Sequence, residues 1–397
     1  MPRPDLDLDR RYFGTDGVRG VVGELLTPEL EAALTRGIVS AGGVAVLAGV
    51  LPTPAVALMA QDLGTVVTAS HNPPEYNGVK FFDREGQKLT DDEEAEVEAL
   101  LDGAAVGGGS VEQAGDATGG YVDHLVANFG SDLTGLRIAV DCANGAFSAI
   151  APGVFERLGA SVTAVAVAPD GTNINLGCGA TDLSLLTEVV RAGDYDLGVA
   201  FDGDGDRMLA VDETGEPLDG DQIVAVIALA RGVDTVAVTR MSNMGFHRLM
   251  GDHGIRVITT DVGDRYVLEA LRGNGAVLGG EQSGHVISLD SHVTGDGLAA
   301  ALLLCACLEG RRLSDAAAVM PRYPQVKENV PVARKGIPQS ILDEAAALNE
   351  RFDGRARVLV RPSGTEPVVR VLAEAESEEE ARELCGRIAQ LVREELG

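Results

Sequence analysis

The stretch DLGVAFDGDGDRMLAVD, Asp196 to Asp212, sets two apolar runs of strand composition on either side of an acidic loop. Asp202, Asp204 and Asp206 fall at alternate positions in that loop. Three carboxylates this close repel one another unless a cation holds them, and an all-oxygen set suits Mg²⁺ or Ca²⁺. An EF-hand is the nearest rival, because Glu213 stands at its twelfth position. The sixth position, where that motif needs glycine, is Arg207, and strands stand where its helices would be. A solvated acidic turn is the plain alternative.

Outward from this loop the same pattern recurs. RIAVDCANG (137–145) leads into an apolar helix and is followed by SVTAVAVAPD (161–170), TVAVTRMSNMG (235–245) and GIRVITTD (254–261). Short β-branched runs alternating with helices predict α/β domains with mixed, largely parallel sheets. The C-terminus differs: RVLVRPSGTEPVVRVLAEA (357–375) reads as two alternating strands around a Ser-Gly-Thr loop. A helix follows from Ser377, with Glu380 completing a capping box; Thr90 and Glu93 form the same signature. The stretch from 102 to 120, rich in glycine, reads as a surface connection. Three α/β domains (1–132, 133–230 and 231–320) and a smaller α+β domain (321–397) are expected.

The 397 residues, 45% apolar, are enough for several cores. Acidic residues outnumber basic ones 61 to 32, giving a net charge of −29 that disfavours nucleic acid and anionic membrane as partners. Only four lysines occur, Lys80, Lys88, Lys327 and Lys335. Five scattered cysteines do not suggest a disulfide framework, and Cys305 and Cys307 sit in an apolar helical run as core residues. No charge occurs from Gly37 to Gln61, but two prolines in GVLPTPAV break that run into a strand, a turn and a helix start. The opening MPRPDLDLDRR lacks the apolar core of a signal peptide, so a soluble, cytoplasmic protein is expected.

Three further stretches carry chemistry. TASHNPPEYNGVKFF (68–82) sets Ser70 beside His71, with Lys80 ten positions on. No nucleophile elbow surrounds Ser70, and neighbours on a strand point apart, so a hydrolytic Ser–His pair would need a turn. A hydroxyl that carries a phosphoryl group at the end of a strand fits better. GGEQSGH (279–285) groups a carboxylate, an amide, a hydroxyl and an imidazole, which suit neighbouring sugar hydroxyls as well as an ordinary polar turn. RPSGTEP (361–367) joins Arg361 to a loop whose hydroxyls and N–H groups can cradle phosphate.

FGTDGVRG, TASHNP, DGDGDR, GEQSGH and RPSGTEP occur in that order over almost the whole chain. This set resembles the α-D-phosphohexomutase superfamily, whose four domains surround a central cleft, and YFGTDGVRG with GEQSGH resembles its phosphoglucosamine mutase branch. The resemblance implies interconversion of glucosamine 6-phosphate and glucosamine 1-phosphate, towards UDP-N-acetylglucosamine, through a hexosamine 1,6-bisphosphate. It makes Ser70 the phosphoserine, with one Mg²⁺ on Ser70, Asp202, Asp204 and Asp206. Arg19, His71, Lys80 and Arg207 match cationic residues near the transferring phosphate, with Lys80 or His71 taking the sugar hydroxyl's proton. Glu281, Ser283 and His285 match the sugar-recognition loop; Arg361, Ser363, Gly364, Thr365 and Arg370 match the grip on the other phosphate. A phosphosugar is the implied partner, and a monomer or a homodimer the implied assembly. Two departures stand out. TPELEAALTRGIVSAGG (27–43) skips a strand and loop that relatives carry, which shortens the first domain, and Asp261 replaces the lysine common before VGDRY. A phosphomannomutase/phosphoglucomutase of broad specificity and a catalytically impaired phosphosugar-binding relative are the alternatives.

Overall fold

Turn chemistry and strand composition divide the chain into five sheets, seen in a computed structural model that describes residues 13–14, 17–21, 43–90, 92–94, 108–333, 336–363 and 367–397. The first segment holds β1 (Phe13–Gly14), β2 (Gly17–Val21), β3 (Val44–Leu47), α1 (Thr53–Met59), β4 (Leu63–Val67), β5 (Tyr76–Asp83), β6 (Ser110–Gln113) and α2 (Ala117–Phe129). Its main sheet has the order β1-β2-β5-β4 and is antiparallel at every pairing. The short links β1–β2 and β4–β5 allow antiparallel return, whereas a parallel pair needs a long crossover. The glycine-rich stretch read as a connection contributes β6, which pairs in parallel with β3. The uncharged run from Gly37 is broken at Pro52, where α1 begins with proline in its first turn. Among the described residues no helix is long and apolar enough to cross a membrane.

The second segment holds β7 (Arg137–Asp141), α3 (Ala151–Arg157), β8 (Ser161–Val165), α4 (Ser184–Ala192), β9 (Leu197–Phe201), β10 (Met208–Asp212) and β11 (Pro217–Leu218). Its sheet runs β11-β10-β9-β7-β8, parallel across β9-β7-β8 and antiparallel at the β9–β10 hairpin. The third holds α5 (Gly220–Arg231), β12 (Thr235–Thr239), α6 (Met244–Asp252), β13 (Arg256–Thr260), α7 (Asp264–Asn274), β14 (Leu278–Gly280), β15 (Val286–Ser288), α8 (Gly297–Leu308) and α9 (Leu313–Ala317). Its sheet, β13-β12-β14-β15, is parallel except at the β14–β15 hairpin. The fold is therefore α/β with mixed sheets. The remainder, β16 (Gln325–Pro331), α10 (Gln339–Phe352), β17 (Ala356–Pro362), β18 (Val368–Ala375) and α11 (Glu378–Leu396), forms an antiparallel sheet covered by helices.

The chain divides into two compact units, the first within Met1–Arg240 and Arg256–Ala317, the second within Met241–Ile255 and Ala318–Gly397. In the first unit α8 is apolar on all sides, as a helix enclosed by protein must be, and both Cys305 and Cys307 are buried on it as free thiols. α5 is likewise apolar and starts with a complete capping box between Asp219 and Gln222. In the second unit α11 lays an apolar stripe from Ala381 to Leu396 against β16 and β18.

Asp141, at the end of β7, shows how the second sheet is tied to its loops. Its fully buried carboxylate accepts from Ala143 N at 2.9 Å and from Gly179 N at 2.8 Å. Asp141→Ala leaves two buried N–H groups without an acceptor and should cost about 2–4 kcal/mol, read as a lower urea midpoint. Asp141→Asn keeps one acceptor oxygen and should cost about half as much. Equal, near-wild-type midpoints would show that other contacts hold these loops.

Candidate active site

β9 ends at Phe201 and β10 resumes at Met208, so the hairpin throws the acidic loop out at the strand ends. The loop is not a solvated turn: Asp202, Asp204 and Asp206 are 0%, 3% and 6% exposed. A carboxylate oxygen of each lies within 4.8 Å of the others. Lys80 on β5 reaches into this cluster, its Nζ donating to Asp204 Oδ2 at 2.7 Å and Asp206 Oδ2 at 3.0 Å. Burial works against its charge, but the two carboxylates more than offset that and raise its pKa. Burial also opposes ionisation of Asp206, yet Lys80, His285 and Arg207 hold its pKa well below the usual range. Asp202 moves the other way, pushed well up by burial and by its two neighbours. The compensation is uneven: Lys80 pairs with Asp204 and Asp206, while Asp202 stays pushed up despite the Arg207 charge. Asp204 Oδ1 and Asp206 Oδ1 are buried without a hydrogen-bond partner among the described residues. An oxygen-rich, over-charged cluster with open lone pairs fits a hard divalent cation.

Ser70 closes the cluster from the first segment. It sits in the left-handed region, φ 54°, just beyond β4, in the turn that the two prolines follow. A non-glycine residue held there is strained, and such strain persists only where surrounding contacts fix it. Here Thr68 Oγ1 accepts from Ser70 N at 2.8 Å, and Asn175 Nδ2 donates to Ser70 O at 2.9 Å. The Ser70 hydroxyl donates to Asp202 Oδ2 at 2.8 Å, and His71 Nδ1 lies 3.2 Å from the same Oγ. The turn therefore brings His71 to the serine despite their adjacency. Gly203 is required beneath it, because a Cβ there would stand 2.6 Å from Ser70 O. Arg207 Nε is 3.8 Å from Asp206 Oδ1, while its backbone N–H donates to Asp202.

The GGEQSGH turn joins β14 to β15, closed by Gly284 N donating to Glu281 O at 2.9 Å. Ser283 is exposed, whereas His285 is buried between Asp206 Oδ1 at 3.8 Å and Asp264 Oδ2 at 3.6 Å. Burial would lower its pKa, but Asp206, Asp264 and Glu281 together raise it, so His285 stays charged to higher pH. Burial raises the Glu281 pKa, and its Oε1 accepts from Gly263 N at 3.2 Å. A cavity of about 70 Å³, lined by Gln87, Lys88, Thr90, Asp264, Arg265 and His285, adjoins this turn.

The first unit thus gathers Ser70, His71, Lys80, the three aspartates, Arg207 and His285. In the second unit Arg361 and Arg370 stand directly opposite on β17 and β18, and an Arg370 guanidinium nitrogen lies 3.5 Å from Ser363 Oγ. Gly364 and Thr365 lie outside the described residues. Arg19 pairs with Gly78 through its backbone, and its side chain lies outside the described residues. Glu213, the would-be twelfth EF-hand ligand, binds Ser314 instead. Asp261 pairs with Arg240, and Arg265 reaches Leu89 O at 2.7 Å and Glu94 at 3.4 Å. Sequence reading missed Thr53, whose hydroxyl donates to Asp204 Oδ2 at 2.7 Å, and Asp264, which pairs with Lys88 at 2.7 Å. Thr53 was visible only as part of a proline turn.

Lys80 and a divalent cation call on the same carboxylate groups. Lys80→Met should therefore tighten divalent-cation binding, on the order of tenfold, by removing a competing charge. Titration calorimetry with Mg²⁺ or Mn²⁺ measures it; weaker binding would mean that the lysine organises the carboxylates.

Four family models cover most of the chain. These are phosphoglucomutase/phosphomannomutase alpha/beta/alpha domains I, II and III, at residues 25–105, 119–215 and 219–323, and the C-terminal domain of that family, at 328–391. A phosphoglucosamine mutase of Pelotomaculum thermopropionicum is 46% identical, over 96% of this chain and 99% of that one. One of Saccharopolyspora erythraea is also 46% identical, over 96% and 99%. The first alignment spans 439 positions, more than the 397 residues present, so that relative carries stretches this chain skips. Among solved structures, a phosphoglucomutase/phosphomannomutase family protein from Burkholderia thailandensis shares the fold, with TM-score 0.82 at 24% identity over 97% of this chain and 98% of that one. Aspergillus fumigatus N-acetylphosphoglucosamine mutase, in complex with GlcNAc-6P and magnesium, does so with TM-score 0.76 at 21% identity, over 96% and 95%. With near-complete coverage by close relatives and all four domains matched, the chain belongs to the phosphoglucomutase/phosphomannomutase family of isomerases, among its phosphoglucosamine mutases.

Proposed function

We propose that this isomerase interconverts glucosamine 6-phosphate and glucosamine 1-phosphate, with Ser70 as the phosphoryl carrier. The observation that carries the reading is Ser70 itself, a strained serine whose hydroxyl faces a buried, over-charged aspartate cluster. A phosphorylated Ser70 adds about −1.5 to −2 charge at neutral pH, which that cluster would not tolerate without a cation. Magnesium, held by Ser70, Asp202, Asp204 and Asp206, would neutralise charge on the transferring phosphoryl group.

In the forward direction the substrate's O1 hydroxyl attacks phosphorus. The P–O bond to Ser70 Oγ breaks, a P–O1 bond forms, and the hydroxyl proton passes to a base. His71 suits that role better than Lys80, because its Nδ1 faces Oγ while Lys80 is held charged by Asp204 and Asp206. The resulting 1,6-bisphosphate turns over, Ser70 Oγ takes back the phosphoryl group from O6 as that P–O bond breaks, and the protonated base returns its proton to O6. Arg207 and Arg19 are assigned to the phosphoryl oxygens, and Glu281, Ser283 and His285 to the sugar hydroxyls. Arg361, Ser363, Gly364, Thr365 and Arg370 are assigned to the phosphate that does not react. Arg361 and Arg370 are register partners on neighbouring strands, so they lie on one face of the sheet and can share a dianion. The division at 132, 230 and 320 gives each domain one of these tasks.

With Mg²⁺, turnover of glucosamine 6-phosphate should exceed that of glucose and mannose 6-phosphates. In the same assay Arg361→Ala should lower kcat/KM by about 2–4 kcal/mol, and Arg361→Lys should recover only part of it, since the ammonium lacks the planar fork. A flat substrate panel would return the broad-specificity reading, and normal kinetics in Arg361→Ala would refute the phosphate grip.

A further inference from the structure

Outside the motifs, one buried polar cluster lies against the active-site loop. Asp296, 2% exposed, caps α8 through Oδ1, which accepts from Leu298 N at 2.9 Å and Ala299 N at 3.1 Å. Its Oδ2 accepts from the hydroxyl of Tyr121 on α2 at 2.7 Å. His292 Nε2 lies 3.0 Å from that same oxygen, at ion-pair distance. His292 Nδ1 accepts from Val293 N at 2.8 Å, and its Nε2, though close to the carboxylate, makes no hydrogen bond to it. Both oxygens of one buried carboxylate are thus committed, to α8 on one side and to α2 on the other, with His292 of the β15–α8 link packed beside them.

This clamp adjoins the acidic loop and His285 alike. Gly297, the first residue of α8, donates its N–H to Gly205 O at 2.9 Å, between Asp204 and Asp206. The approach is close: a Cβ on Gly297 would stand 2.5 Å from Arg207 O. Gly295 bridges Ile287 and lies against His285, near enough that a Cβ there would meet the ring at 2.2 Å. The residues on either side of Asp296 therefore touch, respectively, the metal-binding loop and the imidazole assigned to the sugar.

We infer that Asp296, held by Tyr121 and flanked by His292, is a positioning residue that sets the geometry of the Asp202–Asp206 loop and of His285. It rests on the proposed role of that loop, but not on the identity of the sugar. The hydrogen bonds that hold a metal loop from behind tune its affinity on the order of 10–100-fold when they are removed. Asp296→Asn keeps the shape and the α8 cap while removing the charge that Tyr121 and His292 share. Tyr121→Phe removes one hydrogen bond with almost no change of volume.

The test measures Mn²⁺ affinity by titration calorimetry, amide hydrogen exchange of Gly205, and kcat and KM separately, in full-length protein. Both variants should weaken Mn²⁺ binding by about tenfold, speed exchange at Gly205 and lower kcat more than KM changes. Tyr121→Phe with His292→Gln decides the matter where Asp296→Asn does not fold. Folded variants with wild-type Mn²⁺ affinity and Gly205 exchange would overturn the inference, whatever their thermal stability. Failure of Mn²⁺ to bind the wild-type protein would refute the metal loop itself, a distinct outcome.

Discussion

Everything in the first unit answers to one electrostatic constraint: three carboxylates buried within a few ångströms of one another. In so dry a space, repulsion between like charges is large, and no arrangement of backbone alone removes it. Lys80, Arg207 and His285 compensate part of it, and burial still pushes the Asp202 carboxyl up, so the cluster could hold a cation. The tools a structure has for holding such a cluster are visible around it. Thr53 donates a hydroxyl to Asp204, Gly205 N and Arg207 N turn towards Asp202, and the α8 N-terminus backs the loop through Gly297.

The same constraint explains why Ser70 is strained. Its backbone occupies the left-handed region so that the hydroxyl points at Asp202 rather than along β4. Asn175 from the second segment holds its carbonyl, and Gly203 leaves room for it, so the serine's conformation depends on both segments. His285 binds the third segment into this arrangement through Asp206 on one side and Asp264 on the other. Loss of one member shifts charge on the rest, so effects on binding and turnover will not add independently.

Much of this was legible in the sequence, for reasons that can be named. Strands β7, β8, β9, β10, β12 and β13 announce themselves by β-branched runs, and the aspartate spacing places its ligands on one short loop. Ser70, Asp202, Asp204, Asp206 and Lys80 could each be picked out from a local motif, but their meeting across more than a hundred positions was expected only from the family resemblance. Contacts across long separations were not readable. Thr53 meets Asp204 across 151 positions and Tyr121 meets Asp296 across 175, and neither pair has a local signature. The strand β6 was hidden because glycines flank it, and its parallel partner β3 lies far earlier in the chain. The antiparallel character of the first sheet was equally hidden, since strand composition does not fix direction.

The central claim is that Ser70 Oγ carries the phosphoryl group. Protein treated with glucose 1,6-bisphosphate and Mg²⁺, freed of ligand, then digested and sequenced by mass spectrometry, tests it most directly. One phosphoryl group should appear on Ser70, and it should leave when glucosamine 6-phosphate is added, with the bisphosphate of that sugar released. A stable phosphoryl group that glucosamine 6-phosphate does not remove, or one on any other residue, would contradict the account.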